Sequence, residues 1–422
     1  MSGEADGKAA EQQHMPARNY VLDYLRGVAA LMVLLAHWSG IGANPKAQAS
    51  VLHLSVAPQE TSGNALGWLL SKWSALAHHV WLLDIRFASG GVLIFFLVSG
   101  FVIPLSVEKH TPLSFGLRRM FRLLPTLWVA IALWLILNAV LQGVGYANGQ
   151  QFSWAEILAN MFLIHDWYWL PSIDLAFWTL LVEVKFYIAM AAMIALAGRI
   201  SLATIAAMAG FFAVLSVPFF DRGGGNSDYA YMLGLSGETG YWWVFYFYRV
   251  VNNASPYILY MLLGTILFLW RYERINTTQT IIAAGMLFAV FATTFLIGPN
   301  GVGQTYYVED GLRALLLISM VLAAEKAGLL NGQLWGLARF LRGAGAISYP
   351  MYLIHSLFGM SVIFSLWTWW GNINLALVTG GSSTLLLIWA VHRWIEVPGQ
   401  RLGAKLAGSA HRIRTRALTP GE

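Results

Sequence analysis

The chain is 422 residues long, 58% hydrophobic and only 11% charged, with a mean hydropathy of +0.60. A soluble domain is about 25% charged, so an ordinary solvated surface is excluded. The lack of cysteine excludes disulfides, thiolate metal sites, iron–sulfur clusters and a cysteine nucleophile. A formal charge of +6 suits either an anionic partner or the basic loops of a membrane protein, and position decides between them.

Residues 1–19 are polar, rich in Ala, Gly and Gln, and read as a disordered cytoplasmic N-terminus. They are too polar and too long to open a cleaved signal peptide, so the first apolar run is expected to stay in the membrane. Apolar blocks of about 20 residues, the length that crosses a bilayer as a helix, lie near 20–40, 88–107, 124–142, 177–197, 201–219, 250–270, 278–297, 311–330, 346–368 and 374–393. The reading is an all-α integral membrane protein of about ten transmembrane helices. Its embedded domain covers 20–400, and a basic cytoplasmic tail covers 401–422.

Two Trp-rich stretches, near 66–83 and 156–170, hold His78, His79, His165 and Asp166. They read as interfacial or re-entrant segments on the outer side, because Trp favours the headgroup level. The Gly-rich stretch 221–240 reads as an outer loop and flexible linker, with no strand before it and no Lys-Ser/Thr after it to make a phosphate cradle. With the N-terminus inside, 18 of the 26 Lys and Arg residues fall in inner segments and 5 in outer ones. That excess supports an even number of spans with both termini cytoplasmic. The basic tail is suited to anionic lipid rather than nucleic acid. No internal repeat stands out, which counts against a secondary transporter.

Ionisable groups inside a bilayer are costly and default to functional candidates. Arg26 and His37 lie 11 residues apart in "LDYLRGVAALMVLLAHWSG", so they share a helix face about 20° off register and about 16 Å apart along the axis. Local alternatives are a snorkelling Arg26 and a hydrogen-bonded His37 near the outer interface. In "LRRMFRLLP" (117–125), Arg119 and Arg122 share a face. A basic cluster beside a helix start suits a phosphate ligand, through guanidinium forks and free backbone N–H groups, although plain topological anchoring also produces such clusters.

Glu183 sits inside "AFWTLLVEVKFYIAM" with Lys185 two residues on, about 200° around the helix. Glu183 therefore needs a partner from another helix, an arginine or a protonated His37. In "AISYPMYLIHSLFGM" (346–360), Tyr352 and His355 are three apart and suit one face, with His355 equally able to pack and bond a carbonyl. Pro398 is expected to stop the last helix, and Glu396 to pair with a nearby base. No G-x-S-x-G elbow, H-E-x-x-H helix or Walker loop occurs, and scattered histidines without paired carboxylates point away from a metal.

Six strings, "LDYLRGVAALMVLLAHW" (22–38), "GGVLIFFLVSGFVI" (90–103), "RRMFRLLPTLW" (118–128), "FWTLLVEVKFY" (177–187), "ISYPMYLIH" (347–355) and "WIEVPGQRL" (394–402), run in order along the chain. Together they resemble the acyltransferase 3 family of bacterial integral-membrane acyltransferases. The resemblance implies transfer of an acyl group, most often acetyl from acetyl-CoA, to hydroxyls of cell-surface glycans, lipid-linked sugars or secreted small molecules, in the bacterial cytoplasmic (inner) membrane. It places the family's Arg-x10-His pair on Arg26 and His37, its Arg-x-x-Arg pair on Arg119 and Arg122, and its span glutamate on Glu183. The stretch departs from the family in "TLLVE" and "SYPMYLIH", where Pro350 is expected to bend its helix. The chain ends 29 residues after its last span, which matches the form without an appended hydrolase-like domain.

On this reading His37 is the general base, since imidazole titrates near physiological pH. Glu183 assists by orienting or charge-balancing a cation, and Arg26, Arg119 and Arg122 hold the CoA phosphates. Rival readings are a glycan or lipid transporter or flippase, and a non-catalytic partner in polysaccharide assembly.

Overall fold

A computed structural model describes residues 20–58, 63–147, 152–216, 247–248, 250–297, 305–330 and 335–418. The N-terminal segment 1–19, the Gly-rich stretch 221–240 and most of the aromatic run after it lie outside these residues. Among the described residues the chain is all-helical, with no strand beyond a single antiparallel bridge between Leu54 and Ala147. In order, the helices are α1 (Tyr20–Ser39), α2 (Pro45–Val51), α3 (Ala65–Ala77), α4 (Phe87–Lys109), α5 (Pro112–Gly143), α6 (Trp154–Met161), α7 (Phe177–Ala197) and α8 (Leu202–Ser216). They continue as α9 (Ser255–Arg271), α10 (Thr277–Ile297), α11 (Tyr306–Lys326), α12 (Trp335–Ala346), α13 (Ser348–Trp370), α14 (Ile373–Val391) and α15 (Val397–Leu418).

Each of the ten predicted spans falls on a helix. Seven are long and apolar enough to cross a membrane: α1, α4, α5, α7, α10, α13 and the run from α14 into α15. Of the other three, α8 has 15 residues and α9 has 17. The third, α11, has 21 residues but carries Glu309, Asp310 and Arg313. Its charges are answered locally: the fully buried Asp310 accepts from Ser89 Oγ at 2.5 Å and from Arg313 Nη1 at 3.2 Å.

The shorter α9 sits at the centre. Every residue from Ser255 to Leu269 is buried, as befits a helix that is apolar on all sides. It meets α4 backbone to backbone at Gly100 and Gly264, where a Cβ on either would run into the facing carbonyl, Met261 O or Leu97 O. Thr265 Oγ donates to Gly100 O across this contact at 2.9 Å. Small residues allow such approach in a membrane bundle, where packing replaces the hydrophobic drive. Gly264→Val is therefore expected to force α4 and α9 apart and cost about 1–3 kcal/mol. The loss would be read as a lower melting temperature of detergent-solubilised protein, and an unchanged one would refute the close contact.

The two Trp-rich stretches form short elements, α3 with a 3-10 turn at Trp81–Leu83, and α6 with a 3-10 turn at His165–Tyr168. Trp68, Trp73, Trp154 and Tyr168 are exposed on them. The second stretch is tied to α7 by Lys185, whose ammonium lies 2.6 Å from Asp166 Oδ2. Lys185 thus finds the acid that Glu183 cannot supply.

Three local expectations are corrected. Helix α5 starts at Pro112, capped by the Thr111 side chain on the Ser114 N–H, so Arg118 to Arg122 stand inside the helix. Their backbone N–H groups are already hydrogen-bonded, and only the guanidinium forks remain to meet a ligand. Pro350 falls in the first turn of α13, where no helical N–H is lost. The irregularity of α13 is instead a π-turn at His355–Gly359. Pro398 does not end the last helix: a π-turn at His392–Glu396 shifts the hydrogen-bond register just before it, so the proline opens α15.

Candidate active site

Helices α1 and α13 bring two histidines together. His355 Nε2 lies 3.4 Å from His37 Nδ1, with ring centroids 5.0 Å apart and planes at 77°. His355 is buried and His37 half-buried. The protonation pattern follows from the acceptors. His355 Nδ1 faces the carbonyl oxygens of Met351 and Tyr352, each at 2.9 Å, and a carbonyl only accepts, so this nitrogen carries the proton. Its Nε2 lone pair then points at His37. His37 Nδ1 lies 2.8 Å from Val33 O and likewise carries its proton, shared weakly with His355. The lone pair of His37 is left on Nε2, which makes no hydrogen bond among the described residues. Trp38 Nε1 donates to His355 O at 3.0 Å and locks the two helices at this level.

The π-turn that follows His355 has its own partner. Asp174, in the segment leading into α7, accepts from Leu357 N–H at 3.2 Å, Ser356 Oγ at 3.1 Å and Ala176 N–H at 2.8 Å. Burial pushes its carboxyl above the usual carboxylate range, while these donors and the nearby His37 pull it back.

Arg26, on the first turns of α1, donates to Ser348 Oγ at 3.1 Å. Around it stand Arg122, Glu183 and Glu396, all within electrostatic reach. Arg119 is buried and lies 5.0 Å from the Tyr187 ring and 5.4 Å from the Phe115 ring. Glu183, predicted to meet an arginine or His37, pairs directly with neither. Its carboxylate instead accepts from Tyr187 on the next turn and from Ser99 Oγ at 3.4 Å, and Tyr187 relays it to Arg119. Glu396 is buried and held by His392 at 2.6 Å and Gln400 at 2.9 Å. The Nε atoms of Arg118 and Arg122 are buried without any partner among the described residues. A buried unpaired donor is costly.

A narrow crevice lies between α1, α4, α7 and α13. It is lined by Ala30 and Val33 of α1, Phe95 of α4, Thr179 and Glu183 of α7, and Ser348 and Tyr352 of α13. Of these wall residues, Ser348 accepts from Arg26 and Val33 O faces His37 Nδ1. Among the described residues no group of three or more His, Asp or Glu is gathered as a metal site would be.

The predicted site residues thus divide into a histidine level with His37 and an arginine level with Arg26, Arg119, Arg122 and Glu183. The sequence left open whether His355 lines one face with Tyr352 or packs and bonds a carbonyl. His355 does bond carbonyls, and it also faces His37. Asp174 and Tyr187 were not singled out. For Tyr187 a signal was available, since it lies four residues after Glu183.

The site thus sets a pair of imidazoles apart from a group of arginines in an all-helical bundle. The acyltransferase-domain profile matches residues 19–393, and the chain belongs to the acyltransferase 3 family. It is similar to Nodulation protein 10 of Rhizobium leguminosarum bv. viciae, with 29% identity over 153 residues, 33% of this chain and 41% of that protein. The match thus spans about two fifths of the relative's length. No solved structure matches the chain.

Proposed function

We propose that the protein is an O-acyltransferase of the bacterial inner membrane, with both termini cytoplasmic. It moves an acyl group, acetyl in the simplest case, from cytoplasmic acyl-CoA to a hydroxyl of a cell-surface or lipid-linked glycan. The observation that carries this reading is the free Nε2 lone pair of His37, set by the carbonyls behind both histidines.

In the reaction, the acceptor hydroxyl oxygen attacks the thioester carbonyl carbon while His37 Nε2 takes its proton. The C–S bond then breaks, and the leaving thiolate receives that proton from the imidazolium, so an ester and free CoA result. Val33 O keeps His37 in the required tautomer, and His355 supports it as a weaker second acceptor on the same nitrogen, on the side where a hydrolase triad has its carboxylate. The guanidinium groups of Arg118 and Arg122, whose Nε atoms have no partner among the described residues, suit the CoA phosphates. The thiol arm would run along the crevice between α1, α4, α7 and α13. Tyr187 and Glu183 hold Arg119 in place beside the phosphates.

Membranes supplied with radiolabelled acetyl-CoA test the reading. Label is expected in a glycan fraction. Label in a released small molecule would change the acceptor class, and no transfer to any acceptor would leave the transporter reading standing.

A further inference from the structure

We propose that Asp174 is the positioning residue of the histidine pair: its carboxylate holds open the π-turn that sets His355 against His37. The inference rests on the acyl-transfer reading for its consequence in catalysis, but its geometry stands apart from it.

A π-turn widens a helix by one residue and leaves backbone groups out of the regular ladder, and such turns collect at functional sites. Here the turn spans His355–Gly359, so the imidazole of His355 sits at its first residue. The His355 N–H still bonds Met351 O as in a regular helix, so the π-turn sets the direction of His355 relative to the part of α13 that follows. A regular α-helix through this stretch would rotate the two against each other by a large part of one residue step, about 100°. Something outside α13 must therefore stabilise the wider turn. Asp174 does so from the segment before α7, accepting the Leu357 N–H and the Ser356 hydroxyl, the two residues immediately after His355. Its third donor, the Ala176 N–H, ties the carboxylate to the start of α7. Tyr352 closes the same junction by donating to Ala176 O at 2.9 Å. The buried aspartate thereby accepts from three donors, and none of these bonds belongs to an ion pair.

The charge of Asp174 also reaches His37. When His37 takes the acceptor's proton it becomes a cation in a largely apolar bundle, and an anion nearby stabilises that state. The titratable groups that reach His37 are His355 of α13, in contact with it, and Asp174, while Tyr352 lies against His355 and lines the crevice with Glu183 of α7. The Asn64 side chain facing the end of α1 is uncharged. Asp174 is thus placed to act twice without touching substrate, by fixing the ring that orients His37 and by favouring the protonated base.

Two readouts on the full-length protein in membranes test this. The first is steady-state transfer by Asp174→Asn, which keeps the shape but turns an N–H donor towards another donor. The value of kcat is expected to fall about tenfold or more, with KM for acetyl-CoA within about twofold. The second is the pH dependence of carbethoxylation at His37 by diethyl pyrocarbonate, followed by peptide mass spectrometry. This reagent reads the neutral imidazole whether or not the enzyme turns over. Loss of the carboxylate is expected to move the midpoint to lower pH, and Asp174→Glu, which returns the charge, is expected to recover it. Should the asparagine variant not insert, Asp174→Ser carries the same measurement. An unchanged midpoint with unchanged kcat overturns the proposal. A shifted midpoint in a protein that transfers no acyl group would sink the acyltransferase reading and leave the coupling of Asp174 to His37 standing.

Discussion

The His37→Ala variant is expected to insert and fold normally while losing acyl transfer by about 10²- to 10⁴-fold, the range for removing a general base. Folding should survive because the ring is only half-buried, and its contacts are one bond to its own helix and one weak contact to His355. The junction of α1 and α13 keeps its stronger link, Trp38 Nε1 to His355 O, which runs through a backbone oxygen that neither histidine substitution removes. His355→Ala should therefore also fold, yet cost less activity, since it orients the base and does not take the proton. Both are read by label transfer from acetyl-CoA in membranes, normalised to the amount of inserted protein. Full activity in His37→Ala would sink the base assignment. A deeper loss in His355→Ala than in His37→Ala would exchange the two roles.

The parts of this protein that were legible in its sequence are the ones fixed by local composition. The span read at 177–197 is the helix Phe177–Ala197, because a bilayer demands one continuous apolar run and the chain shows it residue by residue. The Trp-rich stretches near 66–83 and 156–170, read as something short of full spans, form short helices and 3-10 turns. What could not be read is what depends on contacts between distant segments. His37 and His355 are 318 residues apart, and no helical period records that their rings meet. Asp174 lies just before a span, where an aspartate looks like a solvated loop residue. Only the π-turn of α13 gives it a buried purpose, and a π-turn has no signature in hydropathy. Pro398 misled for a related reason: a proline inside a regular helix breaks it, but one placed after a register shift does not. The arginines were legible as a cluster. That Arg119 is stacked on aromatic rings while Arg122 keeps an unpaired Nε needed the three-dimensional arrangement.

That difference between the two arginines makes separate outcomes expected. Arg122→Ala should raise KM for acetyl-CoA about 10- to 100-fold, the loss expected for a charge-assisted hydrogen bond of about 1.5–3 kcal/mol. Its kcat and its KM for the acceptor should stay near the parent values, because the phosphates lie far from the reacting carbonyl. Arg119→Ala should instead lower the yield of folded protein, since Arg119 fills the space between Phe115 and Tyr187 and holds the hydroxyl network of Glu183 in place. Arg122→Lys keeps the charge but loses the fork, so an intermediate KM is expected. The decisive comparison replaces acetyl-CoA by acetyl-pantetheine, which carries the thioester and the arm but no nucleotide phosphates. The parent enzyme should use the truncated donor poorly, and Arg122→Ala should use both donors about equally badly. If Arg122→Ala still prefers acetyl-CoA by the parental margin, the phosphates bind elsewhere, and the arginine cluster serves only to set the orientation of the chain in the membrane.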